Sequence, residues 1–133
     1  MVRIIELPKM QDTRGILSFI EEGSNIPFKI EQTLWISGEN TLNKSMGFAF
    51  KSAASFIVAL TGNTNVAVSD GTIQKNYHLR DASCGLYLPE MTWCSFNSVA
   101  KDYFFLILAS IIIKPEDIFY SYNTFQKQIF RHA

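Results

Sequence analysis

From residue 2 to residue 113 the chain breaks into short apolar or alternating runs, each closed by a turn signal after roughly eight to twelve residues. That pattern constrains the fold more than any single motif, because many short strands with frequent turns pack as a sandwich or barrel. The runs cover residues 2–7, ended by Pro8, then 16–21 after the turn Asp12-Thr13-Arg14-Gly15, and 28–36 after Gly23-Ser24-Asn25. Strands follow at 47–51, 55–60, 85–88 and 92–96. Residues 65–68 and 72–79 read as a hairpin across Ser69-Asp70-Gly71, since Asp-Gly accepts the positive φ of a two-residue type I′ turn. Residues 103–113 are continuously apolar, as expected of a strand buried on both faces or at a subunit contact. Residues 38–44 are polar and turn-rich, the kind of loop that borders a ligand mouth. Only the tail reads as helical: Pro115 suits a first turn, Glu116 and Asp117 favour its positive end, and Ile118, Tyr122, Phe125 and Ile129 share one face. The expectation is an all-β fold with a short C-terminal helix, residues 1–133 forming one domain.

Composition narrows the function classes. The 133 residues are 47% hydrophobic and 14% aromatic, with eleven Phe, which is far from a disordered chain and enough for a core without disulfides. Twelve basic and twelve acidic side chains cancel, so no broad field favours nucleic acid or an anionic membrane. An anionic ligand would need a local Arg or Lys. Cys84 and Cys94 both sit among apolar residues and read as buried free thiols of a reducing compartment. The N-terminus lacks the apolar core and small-residue cleavage site of a signal peptide, and residues 103–113 are too short to span a bilayer. A cytoplasmic protein is expected.

One stretch carries a motif in outline but not in chemistry. Phe48-Ala49-Phe50, four residues, Ser55, six residues and Gly62 reproduce the spacing of the first cupin motif, His-x-His, Glu or Gln, then Gly. Pro89-x-Met91-x-x-Cys94-x-x-Asn97 resembles the second, with Cys in place of its His. The chain is thereby similar to RmlC-like cupins, double-stranded β-helix or jelly-roll barrels, with the polar centre replaced by apolar groups. No Gly-rich phosphate loop, metal-ligand cluster or Ser/His/Asp order is visible.

Further stretches narrow the resemblance. Asp12-Thr13-Arg14-Gly15 with Ile20-Glu21-Glu22, Asn25-Ile26-Pro27-Phe28-x-Ile30, Gly85-Leu86-Tyr87 leading to Trp93, Leu108-Ala109-Ser110, and the terminal Asp117, Tyr122, Phe125 pattern fall in order over nearly the whole chain. Together they resemble the sugar-nucleotide 3,4-ketoisomerases, the WxcM-like cupins of bacterial deoxysugar and surface-polysaccharide pathways. That resemblance implies a homodimer that exchanges N-terminal strands and a dTDP-linked keto-deoxysugar as ligand. It implies no metal and no redox cofactor: a keto group moves between C4 and C3 through an enediol, which needs one base and one acid. The family's work is placed on the histidines of a His-Ala-His segment and on a His directly after the Trp. Here Phe48, Phe50 and Cys94 stand at those positions, Ser55 replaces the Gln or Glu, and Ser45 replaces a lead-in Arg. Phenyl rings carry no protons at any pH, and Phe, Phe, Ser and Cys make a poor metal set.

The individual residues leave alternatives open. Phe48 and Phe50, two apart on a strand, point the same way and form either a packed interior or an aromatic pocket wall. Cys94 is an inert thiol or a substitute nucleophile or acid. The latter needs an activating partner, and neither His78 nor His132 has motif spacing to it. Arg14 makes a turn ion pair with Asp12 or, by resemblance, holds the diphosphate through its guanidinium fork. Trp35 and Trp93 are core residues or flat faces for base or sugar, Trp93 being the stronger candidate for the pocket wall because it precedes Cys94. Lys51 reads as solvated, and Asp12, Glu21, Glu22 and Asp102 form no acid–base pair. Tyr87 and Tyr103 are the remaining candidate proton donors. Three functions follow: a sugar-nucleotide binder with a degraded ketoisomerase site, a non-catalytic binding or scaffold subunit, or a cupin that takes a small apolar or aromatic ligand between Phe48 and Phe50.

Overall fold

The computed structural model describes residues 1–39, 46–61, 63–97 and 102–131. Gly62, Ser45 and His132, and most of the expected polar loop at 38–44, lie outside the described residues. The described residues hold twelve strands in chain order: β1 (Arg3–Glu6), β2 (Lys9–Asp12), β3 (Gly15–Ser18), β4 (Gln32–Glu39), β5 (Met46–Phe50), β6 (Ser55–Ala59), β7 (Thr64–Ser69), β8 (Gln74–Leu79), β9 (Cys84–Leu88), β10 (Trp93–Asn97), β11 (Asp102–Ala109) and β12 (Ile118–Phe119). The helix α1 (Tyr122–Arg131) follows them.

Two five-stranded sheets face each other, in the orders β1-β9-β6-β11-β4 and β12-β5-β10-β7-β8, while β2 and β3 form a separate ribbon. All strand pairs in them are antiparallel. Alternation decides what each strand buries. Ile57 and Ala59 of β6, Phe105 and Ile107 of β11, Phe48 and Phe50 of β5, Cys94 and Phe96 of β10, and Val66 and Val68 of β7 all point between the sheets and form one core. The intervening residues of the first sheet, Phe56, Val58 and Leu108, form a second core on its outer face with Leu7 and Ile26. Here Gly85 is required: a Cβ at that position would lie 2.2 Å from the tip of the buried Phe56 ring.

Three sequence expectations are corrected. The strand expected at 28–36 begins at Gln32, because residues 28–30 are held against the outer core, where the Glu22 carboxylate accepts from the Ile30 amide at 2.7 Å. The expected type I′ turn is a four-residue connection, since Ser69 pairs with Gln74. Asp70 Oδ1 accepts from the Thr72 and Ile73 amides at 2.9 and 2.8 Å, and only Gly71 in this turn takes positive φ. The tail helix begins at Tyr122, not Pro115. Pro115–Asp117 makes only a 3₁₀ turn, because Ile118 and Phe119 pair with Phe50 and Ala49 and so extend the second sheet. Residues 103–113 do enter the sheet between β6 and β4 as expected, although the strand ends at Ala109.

α1 packs on the outer face of the second sheet. Its buried Phe125 meets Trp93 and Phe119, and the Tyr122 hydroxyl lies 3.0 Å from Ser69 Oγ.

Replacing Gly85 with Ala should destabilise the protein by about 1–3 kcal/mol through overpacking against Phe56, read as a lower urea midpoint at constant slope. The Ile73 and Thr72 amides hold the Asp70 carboxyl below its ordinary range. A lowered folded value means that the stabilisation is complete above the unfolded value near 4 and is lost as pH falls through the folded one. Asp70→Asn keeps the acceptor without titrating, so its urea midpoint should vary less than that of the unmodified chain between pH 5 and pH 2.5.

Candidate functional site

The register of β5 and β10 sets the centre of the barrel. Cys94 lies opposite Phe48 on one side and Val68 on the other, and Val68 in turn faces Lys75, so the four make one cross-strand row on the inner face. Phe48 and Phe50 are 6% and 7% exposed, with ring centroids 5.0 Å apart. Phe48 meets Phe96 at 6.0 Å, Phe96 stacks on Phe105 across the gap between the sheets at 4.2 Å, and Phe105 reaches Tyr103 at 6.0 Å. Ser55 is buried on β6, in line with the inward Ile57. The four motif positions thus share one interior, yet none of them carries a group that exchanges protons near neutral pH.

Cys94 is wholly buried, and burial pushes its thiol well above the ordinary value, only weakly opposed by a backbone hydrogen bond from Phe48. Among the described residues no imidazole approaches it. His78 is exposed on the opposite face of β8 from Tyr77, its Nδ1 2.8 Å from Asn65 Oδ1. Cys84 is likewise a buried free thiol.

The other candidates are spread around the molecule. Trp35 is 63% exposed at the rim of a cavity of about 370 Å³ between the edge strand β4 and the β5–β12 edge, and Phe48 and Phe50 form part of its wall. Trp93 does not line this cavity; it lines a smaller one of about 120 Å³ on the outer face of the second sheet, with Ser69, Gln74 and Tyr122. Successive residues of a strand face opposite ways, so placing Cys94 inside sends the indole outside, where it meets Tyr122 edge-on at 5.6 Å. Gly47 leaves room for it: a Cβ there would be 2.5 Å from Trp93 Cζ2. Arg14 is 88% exposed on the β2–β3 ribbon and ion-paired to Asp12 at 2.6 Å. Tyr87 lies on the outer face of the first sheet, against Phe28 and beneath the Arg3 guanidinium, and so is remote in orientation from the barrel centre. Tyr103 faces inward, at the end of the aromatic chain. Lys51, Glu21, Glu22 and Asp102 are exposed.

Sequence reasoning missed the polar mouth of the barrel. A cavity of about 320 Å³ opens between the N-terminal residues and β7–β8, with Asp70, Lys75, Tyr77 and Thr92 in its lining. Alternation along residues 74–79 was the available signal, since burying Leu79 inward carries Tyr77 and Lys75 with it. Among the described residues no three His, Cys, Asp or Glu side chains cluster as a metal site, and no helix is long and apolar enough to cross a membrane.

Two facing antiparallel sheets with this motif row define a jelly-roll barrel of the cupin class. Residues 1–129 match the family described as FdtA, WxcM-like, C-terminal, and the chain belongs to that family. It is 31% identical over 128 residues to a TDP-4-oxo-6-deoxy-α-D-glucose 3,4-oxoisomerase from Aneurinibacillus thermoaerophilus, covering 96% of this chain and 91% of the relative. Its fold is similar to that of a 3,4-ketoisomerase from Helicobacter canadensis, with TM-score 0.86 and 22% identity over 97% of both chains. It is equally similar to a sugar 3,4-ketoisomerase from Thermoanaerobacterium thermosaccharolyticum in complex with TDP, with TM-score 0.86 and 23% identity over 98% of this chain and 96% of that one. The resemblance to dTDP-sugar 3,4-ketoisomerases of deoxysugar biosynthesis therefore stands.

Because both thiols are buried, a disulfide exchange reagent should titrate neither Cys84 nor Cys94 within minutes in the native protein and both at once in denaturant. Fast reaction of Cys94 in the folded state would show that it is an accessible thiolate.

Proposed function

We propose that this chain is a cytoplasmic, single-domain cupin (residues 1–133) that binds a dTDP-linked keto-deoxysugar without the acid–base groups of a working 3,4-ketoisomerase. One observation carries the reading: Phe48, Phe50 and Cys94 lie together in the barrel interior, buried and non-ionising, where proton transfer beside a carbonyl would require a base. Family membership supports the ligand class.

The charged part of such a ligand needs cations. Lys75 at the polar mouth is one. Arg14 is the second, on a ribbon that also exposes Met10, Ile16 and Leu17. Apolar side chains left open on an isolated ribbon favour covering by a partner, which supports a homodimer with exchanged N-terminal strands in which Arg14 meets the diphosphate. In that reading Arg14→Ala weakens TDP binding about tenfold, the loss of one charge-assisted contact worth about 1.4 kcal/mol.

The deciding experiment incubates the protein with dTDP-4-keto-6-deoxyglucose in deuterated water and follows label at C3, alongside calorimetric titration with TDP. TDP should bind, while C3 exchange stays at the protein-free rate. Exchange above that rate would overturn the loss of acid–base function, and absence of TDP binding would overturn the sugar-nucleotide reading.

A further inference from the structure

Alternation sorts β8 into two faces. Tyr77 and Leu79 join the core between the sheets, while Gln74, Asn76 and His78 stand exposed on the outer face of the second sheet. The antiparallel register carries each of these three across β7 to β10. Gln74 lies opposite Ser69, and Ser69 opposite Trp93. Asn76 leads in the same way to Ala67 and Ser95. His78 leads to Asn65 and Asn97. None of the residues in these three rows is an acid, a lysine or an arginine. The middle row carries the small side chains and continues to Gly47 opposite Ser95, so it lies lower than the rows beside it. Over Gly47 leans the half-buried Trp93 indole, which with Tyr122 walls a cavity of about 120 Å³ that Ala67 and Ser95 also line. We propose that this outer face is a binding site for a neutral oligosaccharide of two or three pyranose rings, one of them seated against Trp93, independent of any nucleotide held by the barrel.

The chemistry of the rows selects that class. Exposed strand positions commonly carry charge, but the outward positions of β8 carry two amides and an imidazole. Amides and serine hydroxyls both donate and accept, as every sugar hydroxyl does. The C–H face of a pyranose is apolar, and the indole offers it a flat surface. A nucleic acid strand or a diphosphate would find no cation in the three rows. A purely apolar ligand would strip water from the amides and return no hydrogen bond. By strand geometry the rows extend about 13 Å along the strands and about 10 Å across them, room for a short oligosaccharide. The cavity is well below the roughly 300 Å³ of pockets that enclose a whole ligand, so one ring is cradled and the others lie on the sheet. The surface is also formed in advance. β7 is paired on both sides, the Tyr122 hydroxyl lies 3.0 Å from Ser69 Oγ, and His78 Nδ1 lies 2.8 Å from Asn65 Oδ1. Tyr122 and Phe125 hold the indole at 5.6 and 6.1 Å, so little side-chain freedom is lost on binding.

The test adds cellotriose and maltotriose, as neutral probes, to the ¹⁵N-labelled full chain and follows its two-dimensional NMR spectrum, with trigalacturonate as the charged control. At least one neutral trisaccharide should give saturable shifts of the Gln74, Asn76 and Asn97 side-chain amides and of the Trp93 indole, and leave the Trp35 indole unmoved. Trigalacturonate should bind about tenfold more weakly or not at all. Ala67→Lys, which lays a long side chain across the low row, should weaken the neutral sugar about tenfold. Asn76→Ala, at an exposed position, should weaken it about threefold with an unchanged thermal midpoint. Absence of saturable shifts with both neutral sugars, shifts confined to other residues, equal binding of trigalacturonate, or undiminished affinity in either folded variant would each overturn the proposal. So would concentration-dependent broadening of the same signals without sugar, abolished by Ala67→Lys, because a second copy of the chain would then cover the face. Displacement of the trisaccharide by TDP would overturn it too, whereas failure of TDP to bind would overturn the nucleotide reading alone.

Discussion

The stack of Phe96 on Phe105 is the contact on which the rest of the barrel depends. It joins β10, the middle strand of one sheet, to β11 in the other, with ring centroids 4.2 Å apart and planes inclined by 20°. Phe48 and Phe50 continue it on one side and Tyr103 on the other. Each ring pair adds about 0.5–1.5 kcal/mol to the larger gain from apolar burial, and the series fixes the spacing of the two sheets.

Family and chemistry consequently separate in this molecule. The whole-chain match and the facing sheets place it among sugar-nucleotide ketoisomerases. The residues that meet at the barrel centre are suited to packing and to holding apolar surface. A fold is retained by the alternation of inward and outward side chains, which Phe satisfies as well as His does. A proton-transfer site is retained only by the identity of a few inward residues.

Strand alternation made much of this legible. The inward placement of Phe48 and Phe50 follows from a run whose period is two, and the burial of both cysteines from their apolar surroundings. The same rule turns Trp93 to the outer face of its sheet, since Cys94 next to it points inward. The helix start is not legible locally, because Ile118 fits either a helical face or a strand edge and its pairing with Phe50 is a long-range contact that local propensity does not report. Which two open sides of the barrel would become cavities, and that Tyr120 and Lys75 would stand at them, depended on sheet order, which no local pattern encodes.

The two-residue strand β12 has a role out of proportion to its length. It occupies the outer hydrogen-bonding groups of β5, and the Lys51 amide continues the pairing by donating to the Asp117 carbonyl at 2.8 Å. A chain frayed or clipped behind Lys114 would leave β5, the strand that carries Phe48 and Phe50, with its backbone open to any passing extended segment. The tail is therefore a guard against polymerisation, and colloidal behaviour at high concentration would report its integrity sooner than ligand affinity would.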